Sequence, residues 1–138
     1  MKTKNSCYTY FSITGKFDPL CITELLQLSP EHTRRIGAKR KNGTVCDTAV
    51  WEIGRCDRYD PIVSNQMENT IAPLLGKIEI LNKIRKDYSA SLYLSVVPTV
   101  CTDEPSPCLA PSLAVMDFCH ATRTEIDIDL YTHDANDQ

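Results

Sequence analysis

The sequence predicts a single α+β domain in which a mostly antiparallel sheet is covered by helices. Strand-like and amphipathic helix-like segments follow one another in the order β-α-β-β-α-β-α-β. The first six segments match the order of a ferredoxin-like core, to which one helix and one strand are appended. The length of 138 residues suits one domain with one core. We therefore predict one domain over residues 1–138, with a flexible tail over about 133–138.

The first strand and the first helix have clear sequence signals. Cys7–Gly15 is rich in aromatic and β-branched residues and ends at glycine, which predicts a strand. Asp18 and Pro19 predict the start of a helix, because aspartate caps free N–H groups and proline at the first position has none to lose. The helix should end before Pro30.

A hairpin is predicted next, with Asn42 and Gly43 as a two-residue turn in which both residues have positive φ. It joins a polar second strand, beginning near His32, to a third strand that ends at Ile53. Apolar residues of one parity on that third strand should face the core. These residues are Val45, Ala49, Trp51 and Ile53. Trp51 is the predicted large core residue.

The longest amphipathic segment follows Asp60 and Pro61, which repeat the signal for a helix start. Its apolar residues recur at spacings of three and four. They are Met67, Ile71, Leu74, Leu75, Ile78, Leu81, Ile84 and Tyr88. Pro73 and Gly76 should bend or divide this helix, because proline removes a hydrogen bond and clashes with the preceding turn.

The last three segments are a strand over Ser89–Val100, a helix over Ser112–Ala121 and a strand over Thr124–Tyr131, which reads TEIDIDLY. Side chains alternate between the two faces of a strand. Three carboxylates of this last strand therefore share one face and three aliphatic residues share the other, which should be buried. The carboxylates are Glu125, Asp127 and Asp129, and the aliphatic residues are Ile126, Ile128 and Leu130.

Composition and charge point to a soluble cytoplasmic protein. The N-terminus has no apolar stretch of signal-peptide length, and no segment resembles a membrane span. The seven cysteines are odd in number and are predicted to be reduced and mainly buried. The net charge of −3 argues against a general polyanion binder, but residues 32–43 are basic and residues 117–138 are acidic.

Several separated stretches together resemble a known family. YFSITGKFDPLCITELLQLSP, PEHTRRIG, the single Trp51 and EIDIDLY occur in the order found in small bacterial proteins of the domain-of-unknown-function family 4279. The resemblance spans nearly the whole chain and rests on structural motifs, so it implies no reaction. By analogy, such small domains resemble the immunity partners of toxin systems.

Patterns for catalysis or metal binding are absent from the sequence. It contains no C-x-x-C, H-E-x-x-H, D-x-D-x-D-G or G-x-S-x-G motif. We therefore predict no catalytic residue, no metal and no cofactor. Two alternatives stay open: a small enzyme or ligand binder with a cleft near Cys101 to His120, and a nucleic-acid-associated domain acting through the basic stretch Arg34 to Lys41. Basic residues on an edge strand also prevent aggregation, which is the simpler explanation of that stretch.

The predicted function depends on Glu125, Asp127 and Asp129. A row of like charges on one strand face is either a solvated surface or a docking face for a basic partner. We take it as the partner-binding site of a non-enzymatic protein-binding domain, such as an immunity-type inhibitor of a basic toxin. Nucleic acid and membrane are not the expected partners, and the oligomeric state is left open.

Overall fold

The strands form one six-stranded sheet in a computed structural model that describes residues 4–134. They are β1 Ser6–Gly15, β2 His32–Arg34, β3 Ala49–Cys56, β4 Ser91–Cys101, β5 Glu125–Ile128 and β6 Tyr131–His133. The helices are α1 Pro19–Leu26, α2 Ser64–Ile71, α3 Ile78–Asp87 and α4 Leu113–Thr122, and a short 3₁₀ helix, Ala72–Lys77, joins α2 to α3. The predicted order of elements is confirmed.

The sheet order β2-β3-β1-β4 is that of a ferredoxin-like core. All three pairings within that core are antiparallel. The appended strands β5 and β6 both pair with β4 in parallel. Parallel neighbours need a crossover connection, which α4 supplies. The α+β class, the single domain and the mostly antiparallel sheet are as predicted.

The predicted last strand is divided into β5 and β6 by a proline in β4. Both strands keep one continuous register along β4. The N–H of Asp129 donates to the carbonyl of Val96 over 2.9 Å. Pro98 is the next residue of β4 with the same backbone orientation, and it has no N–H to donate in return. Pairing with β4 resumes at β6. This strand includes His133, the first residue of the predicted tail. Residues 135–138 of that tail lie outside the described residues.

Trp51 is the core residue that the sequence predicts. Its side chain is fully buried, and its indole N–H donates to the hydroxyl of Thr23 on α1 over 3.0 Å. The largest fully buried side chains come from both the sheet and the helices. Besides Trp51 they include Phe11, Ile13, Ile22, Leu26, Met67, Ile71, Leu74, Leu81, Ile84, Leu92 and Leu94. One core therefore lies between the helices and one face of the sheet.

The hairpin differs from the prediction in its turn and its length. The N–H of Arg40 donates to the carbonyl of Thr44, and the N–H of Gly43 donates to that of Arg40. Of the two predicted turn residues, Gly43 has positive φ and Asn42 does not. This is a three-residue loop in which glycine closes the turn, so the predicted two-residue turn is wrong. Val45 is 54% exposed, because β3 begins only at Ala49 and the preceding residues lie outside the sheet.

The long amphipathic segment is divided as Pro73 and Gly76 predict. Both residues lie in the 3₁₀ helix between α2 and α3. Leu75, predicted to be buried, is 52% exposed, because a 3₁₀ helix has three residues per turn and rotates this position away from the core. Within residues 4–134, no helix has both the length and the hydrophobicity that a membrane span requires.

A β-bulge in β3 brings α2 close to the sheet. The register between β1 and β3 shifts near Gly54, which has φ of 77°. A Cβ atom at Gly54 would collide with the carbonyl of Thr70 on α2. The hydroxyl of Thr70 donates to the carbonyl of Gly54 over 2.7 Å and lies 2.8 Å from the hydroxyl of Thr9 on β1. Glycine is needed here for its conformation and for this close approach.

Gln66 makes a second buried polar contact between α2 and the sheet. Its side-chain amide donates to the carbonyls of Cys7 and Cys56, over 3.0 and 3.1 Å, and its carbonyl accepts from the N–H of Asp60 over 3.1 Å. Gln66 and Thr70 are both fully buried. The apolar periodicity of the sequence does not reveal this polar side of α2.

We predict that Gly54→Ala destabilises the fold more than Gly43→Ala. Both glycines have positive φ, but only Gly54 faces an atom that an added methyl would meet. Gly43→Ala should therefore cost about 1 kcal/mol for conformation alone, and Gly54→Ala about 2 kcal/mol or more. Urea denaturation of the two variants measures the difference. Equal losses would show that the contact with Thr70 relaxes freely.

Candidate functional site

Helices cover only one face of the sheet, and the other face, called here the open face, is the candidate site. Residues paired directly across strands place their side chains on the same face. Thus Tyr93 of β4 lies beside Glu125, and Ser95 lies beside Asp127. Side chains of the open face come from five strands, β1, β3, β4, β5 and β6. They include Tyr8, Tyr10, Ser12, Glu52, Tyr93, Ser95, Glu125, Asp127 and Tyr131.

The acidic row is defined by Glu125, Asp127 and Asp129, and all three side chains are exposed. The one ion pair within 4.0 Å among the described residues joins Lys83 to Asp87, so no described cation lies at that distance from any of the three carboxylates. Like charges at alternate positions on a strand repel one another. The row therefore makes this side of the open face negatively charged.

Tyr131 extends the acidic row along the strand. Its hydroxyl donates to the carboxylate of Asp129 over 3.1 Å. Because this hydrogen bond and the negative charge of Asp129 favour the protonated phenol, the pKa of Tyr131 is raised. Tyr131 thus remains a neutral hydrogen-bond donor beside an acid, and it is 54% exposed.

Aromatic side chains occupy the centre of the open face, and our interpretation of the sequence missed them. The rings of Tyr8 and Tyr10 on β1 stack with centroids 6.1 Å apart. The guanidinium of Arg55 lies 4.1 Å from the centre of the Tyr8 ring, in a cation–π contact. Alternate tyrosines on the polar parity of a strand are the signal that could have revealed them. Tyrosine is enriched where proteins bind proteins.

The opposite side of the terminal strand is apolar and more exposed than predicted. Ile126 is half-buried against the core, but Ile128 is 43% and Leu130 53% exposed. The prediction that all three are buried is therefore wrong for two of them, because β5 and β6 lie at the edge of the sheet. Met116 of α4 and Ile126 line a shallow depression of about 440 Å³.

The alternative cleft near Cys101 to His120 is only partly assembled. Cys119 and His120 line the same depression as Met116, but Cys101 does not line it. Burial raises the pKa of the Cys119 thiol to about 11, so the thiol is protonated near neutral pH and is a poor nucleophile. Over residues 4–134, no three His, Cys, Asp or Glu side chains converge to hold a metal ion.

The basic stretch Arg34 to Lys41 begins at the last residue of β2, which is the opposite edge strand of the sheet. The Arg34 guanidinium donates to both the carbonyl and the hydroxyl of Thr48 over 3.2 Å. The Arg40 guanidinium donates to the carbonyl of Val45 over 3.3 Å. Two of its five cations thus hold the hairpin together, which favours a structural role for the stretch.

All seven cysteines are free thiols, and their burial differs. Cys7, Cys46, Cys101 and Cys119 are buried, Cys21 and Cys56 are half-buried, and Cys108 is exposed. Four of the seven are buried, as the prediction of mainly buried cysteines expects, and Cys108, in the loop between β4 and α4, is the exposed exception. Burial also raises the pKa of the Cys7 thiol to about 11.

We predict that iodoacetamide alkylates Cys108 of the native protein well before Cys7 and Cys119. An exposed thiol is accessible to the reagent, whereas a buried thiol of raised pKa is shielded from it and stays protonated. Mass spectrometry of peptides after timed labelling gives the order of reaction, and denatured protein should yield about seven reactive thiols. Early labelling of Cys119 would contradict the assignment of a buried, protonated thiol.

We also predict that Asp129→Asn lowers the pKa of Tyr131 towards the ordinary tyrosine value of about 10. A raised pKa in the folded state stabilises the protein below the unfolded pKa, and this contribution is lost as pH rises through the folded pKa. The variant should therefore lose less stability than wild type on going to alkaline pH. Ultraviolet difference titration measures the phenol, with Asp127→Asn as the control that leaves it unchanged.

One comparison with known proteins gives a match. The model of a family described as a domain of unknown function, DUF4279, matches residues 5–133. No curated protein and no solved structure matches the chain. The matched range contains all the strands and helices of the fold, together with the acidic row.

Proposed function

The chain belongs to the DUF4279 family of domains of unknown function, and we propose that it is a non-enzymatic protein-binding domain of the cytoplasm. Its partner presents a basic surface to the acidic row and a complementary surface to the tyrosines of the open face. The observation that carries this proposal is the exposed row of three carboxylates without an ion pair among the described residues.

The charge arrangement supports a docking role more than a catalytic one. Successive carboxylates on a strand are about 6 to 7 Å apart, so their oxygens do not converge on one cation or one proton. Spread along an edge, they instead produce a field that attracts a positively charged protein. Such steering raises association rates by about ten- to a thousandfold at low ionic strength.

An immunity-type inhibitor is the specific form of binding that we propose. A toxin that acts on nucleic acid needs a basic surface to approach phosphates. An acidic domain that covers this surface competes with the nucleic acid and inhibits the toxin without any chemistry of its own. The aromatic side chains beside the acidic row would supply the apolar contacts that electrostatics alone does not.

Neutralising the row by Glu125→Gln, Asp127→Asn and Asp129→Asn should leave the protein folded and should slow partner association by about tenfold at low ionic strength. The salt dependence of the rate should weaken as well, because the long-range attraction is gone. The partner is first isolated by affinity capture on wild type, and its association rates are then measured by surface plasmon resonance.

A matched control carries the same number of neutralised acids away from the open face: Glu24→Gln, Glu68→Gln and Glu79→Gln, one on each of α1, α2 and α3. It should retain most of the association rate and most of its salt dependence. Equal slowing in both triple variants would mean that only net charge matters. Equal rates for wild type and the variant of the acidic row would remove the row as a binding site.

A further inference from the structure

We propose that the terminal edge of the sheet, residues 125–132, binds its partner by strand addition, and that the added strand is an extended segment with basic residues at alternate positions. The proposal rests on the proposed function for the role of the acidic row. It adds the mode of binding and the chemistry of the partner segment. Three independent features of this edge support it: its backbone, its apolar side and its charge.

The backbone of the terminal edge is available for pairing. The N–H of Asp129 donates to Val96 of β4, so the backbone groups of Asp127 and Asp129 point into the sheet. Backbone groups alternate in direction along a strand. Those of Ile126, Ile128 and Leu130 therefore point out of the sheet, where β5 has no neighbouring strand within the described residues. An extended peptide binds such an edge through main-chain hydrogen bonds.

The side chains of the edge present different chemistry on its two faces. On the side of the helices, Ile128 and Leu130 are about half exposed, and Met116 of α4 is 42% exposed nearby along the same side. On the open face stands the acidic row. An added strand continues the alternation of the sheet. Its residues should thus alternate between apolar side chains, which cover Ile128 and Leu130, and cations, which face the carboxylates.

The acidic row also determines what does not pair with this edge. Two copies of the chain joined edge to edge would place one acidic row beside another, and opposed like charges are destabilising. Among the described residues, the strand β2 at the far edge is a poor complement, because it has three residues and its Arg34 is held by Thr48. The edge is therefore protected from self-association while it stays open to a basic segment.

The test uses a synthetic seven-residue peptide, Lys-Val-Lys-Val-Lys-Val-Lys, and a control peptide of the same composition with its lysines grouped together. Amide hydrogen exchange of wild type is followed by NMR with and without each peptide. With the alternating peptide at saturation, the amides of Ile126, Ile128 and Leu130 should exchange at about one-tenth of their rate without peptide, or more slowly still, because they become hydrogen-bonded. The grouped peptide should leave them unchanged.

A pair of variants at one position separates backbone pairing from side-chain contact. Ile128→Pro removes an N–H that points away from β4, and Ile128→Ala removes the side chain but keeps that N–H. The proline variant should bind the alternating peptide about tenfold more weakly than the alanine variant. Thermal unfolding of both variants checks the fold; if the proline variant is unfolded, hydrogen exchange of wild type decides alone.

The outcomes separate this proposal from the proposed function. Binding of both peptides, lost on neutralising the acidic row but without protection of the three amides, would overturn strand addition and leave basic-partner docking intact. Absence of binding by either peptide, with no partner captured by wild type, would overturn both. Concentration-dependent self-association in sedimentation, with slowed exchange of the same three amides in the absence of peptide, would also overturn this proposal, because a second copy would then occupy the edge.

Discussion

The close approach of α2 to the bulge in β3 is the contact on which much of the fold depends. Gly54 lets the backbone of α2 lie against the sheet, and Thr70 and Gln66 satisfy the carbonyls that the bulge leaves without ladder partners. A buried polar group without a partner costs about 1 to 3 kcal/mol. These hydrogen bonds therefore stabilise the observed placement of α2 against the sheet relative to a shifted placement that would break them. The 3₁₀ helix and α3 continue from α2 along the chain, and their Leu74, Leu81 and Ile84 are buried in the same core as Leu92 and Leu94 of β4.

Placing all helices on one face leaves the other face of the sheet to solvent or to a partner. This arrangement explains why tyrosines and serines alternate with the core residues of β1 and β4. The crossover through α4 then adds β5 beyond β4, which puts the acidic row at the far edge from the basic stretch. The separation of charge along the sequence thus becomes a separation of charge across the sheet. A partner would meet aromatic rings with an acidic border.

An acidic row on an edge strand has two physical consequences that reinforce each other. Repulsion between identical edges opposes aggregation, and attraction to cations selects a basic partner. The solvated-face and docking-face interpretations of TEIDIDLY are therefore compatible, because the same acidic surface repels another copy of the chain and attracts a basic molecule. Ile128 and Leu130, on the other face of the same edge, are exposed apolar side chains that the proposed added strand would cover.

Local patterns in the sequence were sufficient to predict the helices and strands, the burial of Trp51 and the division of the long helix by Pro73 and Gly76. Capping, periodicity and proline geometry act over a few residues, so they can be recognised in the sequence alone. The sequence also placed the three acids on one strand face. It did not determine the parallel direction of β5, the gap opposite Pro98 or the exposure of Ile128, because these depend on which strand lies alongside and where the sheet ends. The tyrosines of the open face and the polar contacts of α2 were likewise decided by tertiary structure, since residues distant in the chain form them only when strands and helices are packed together.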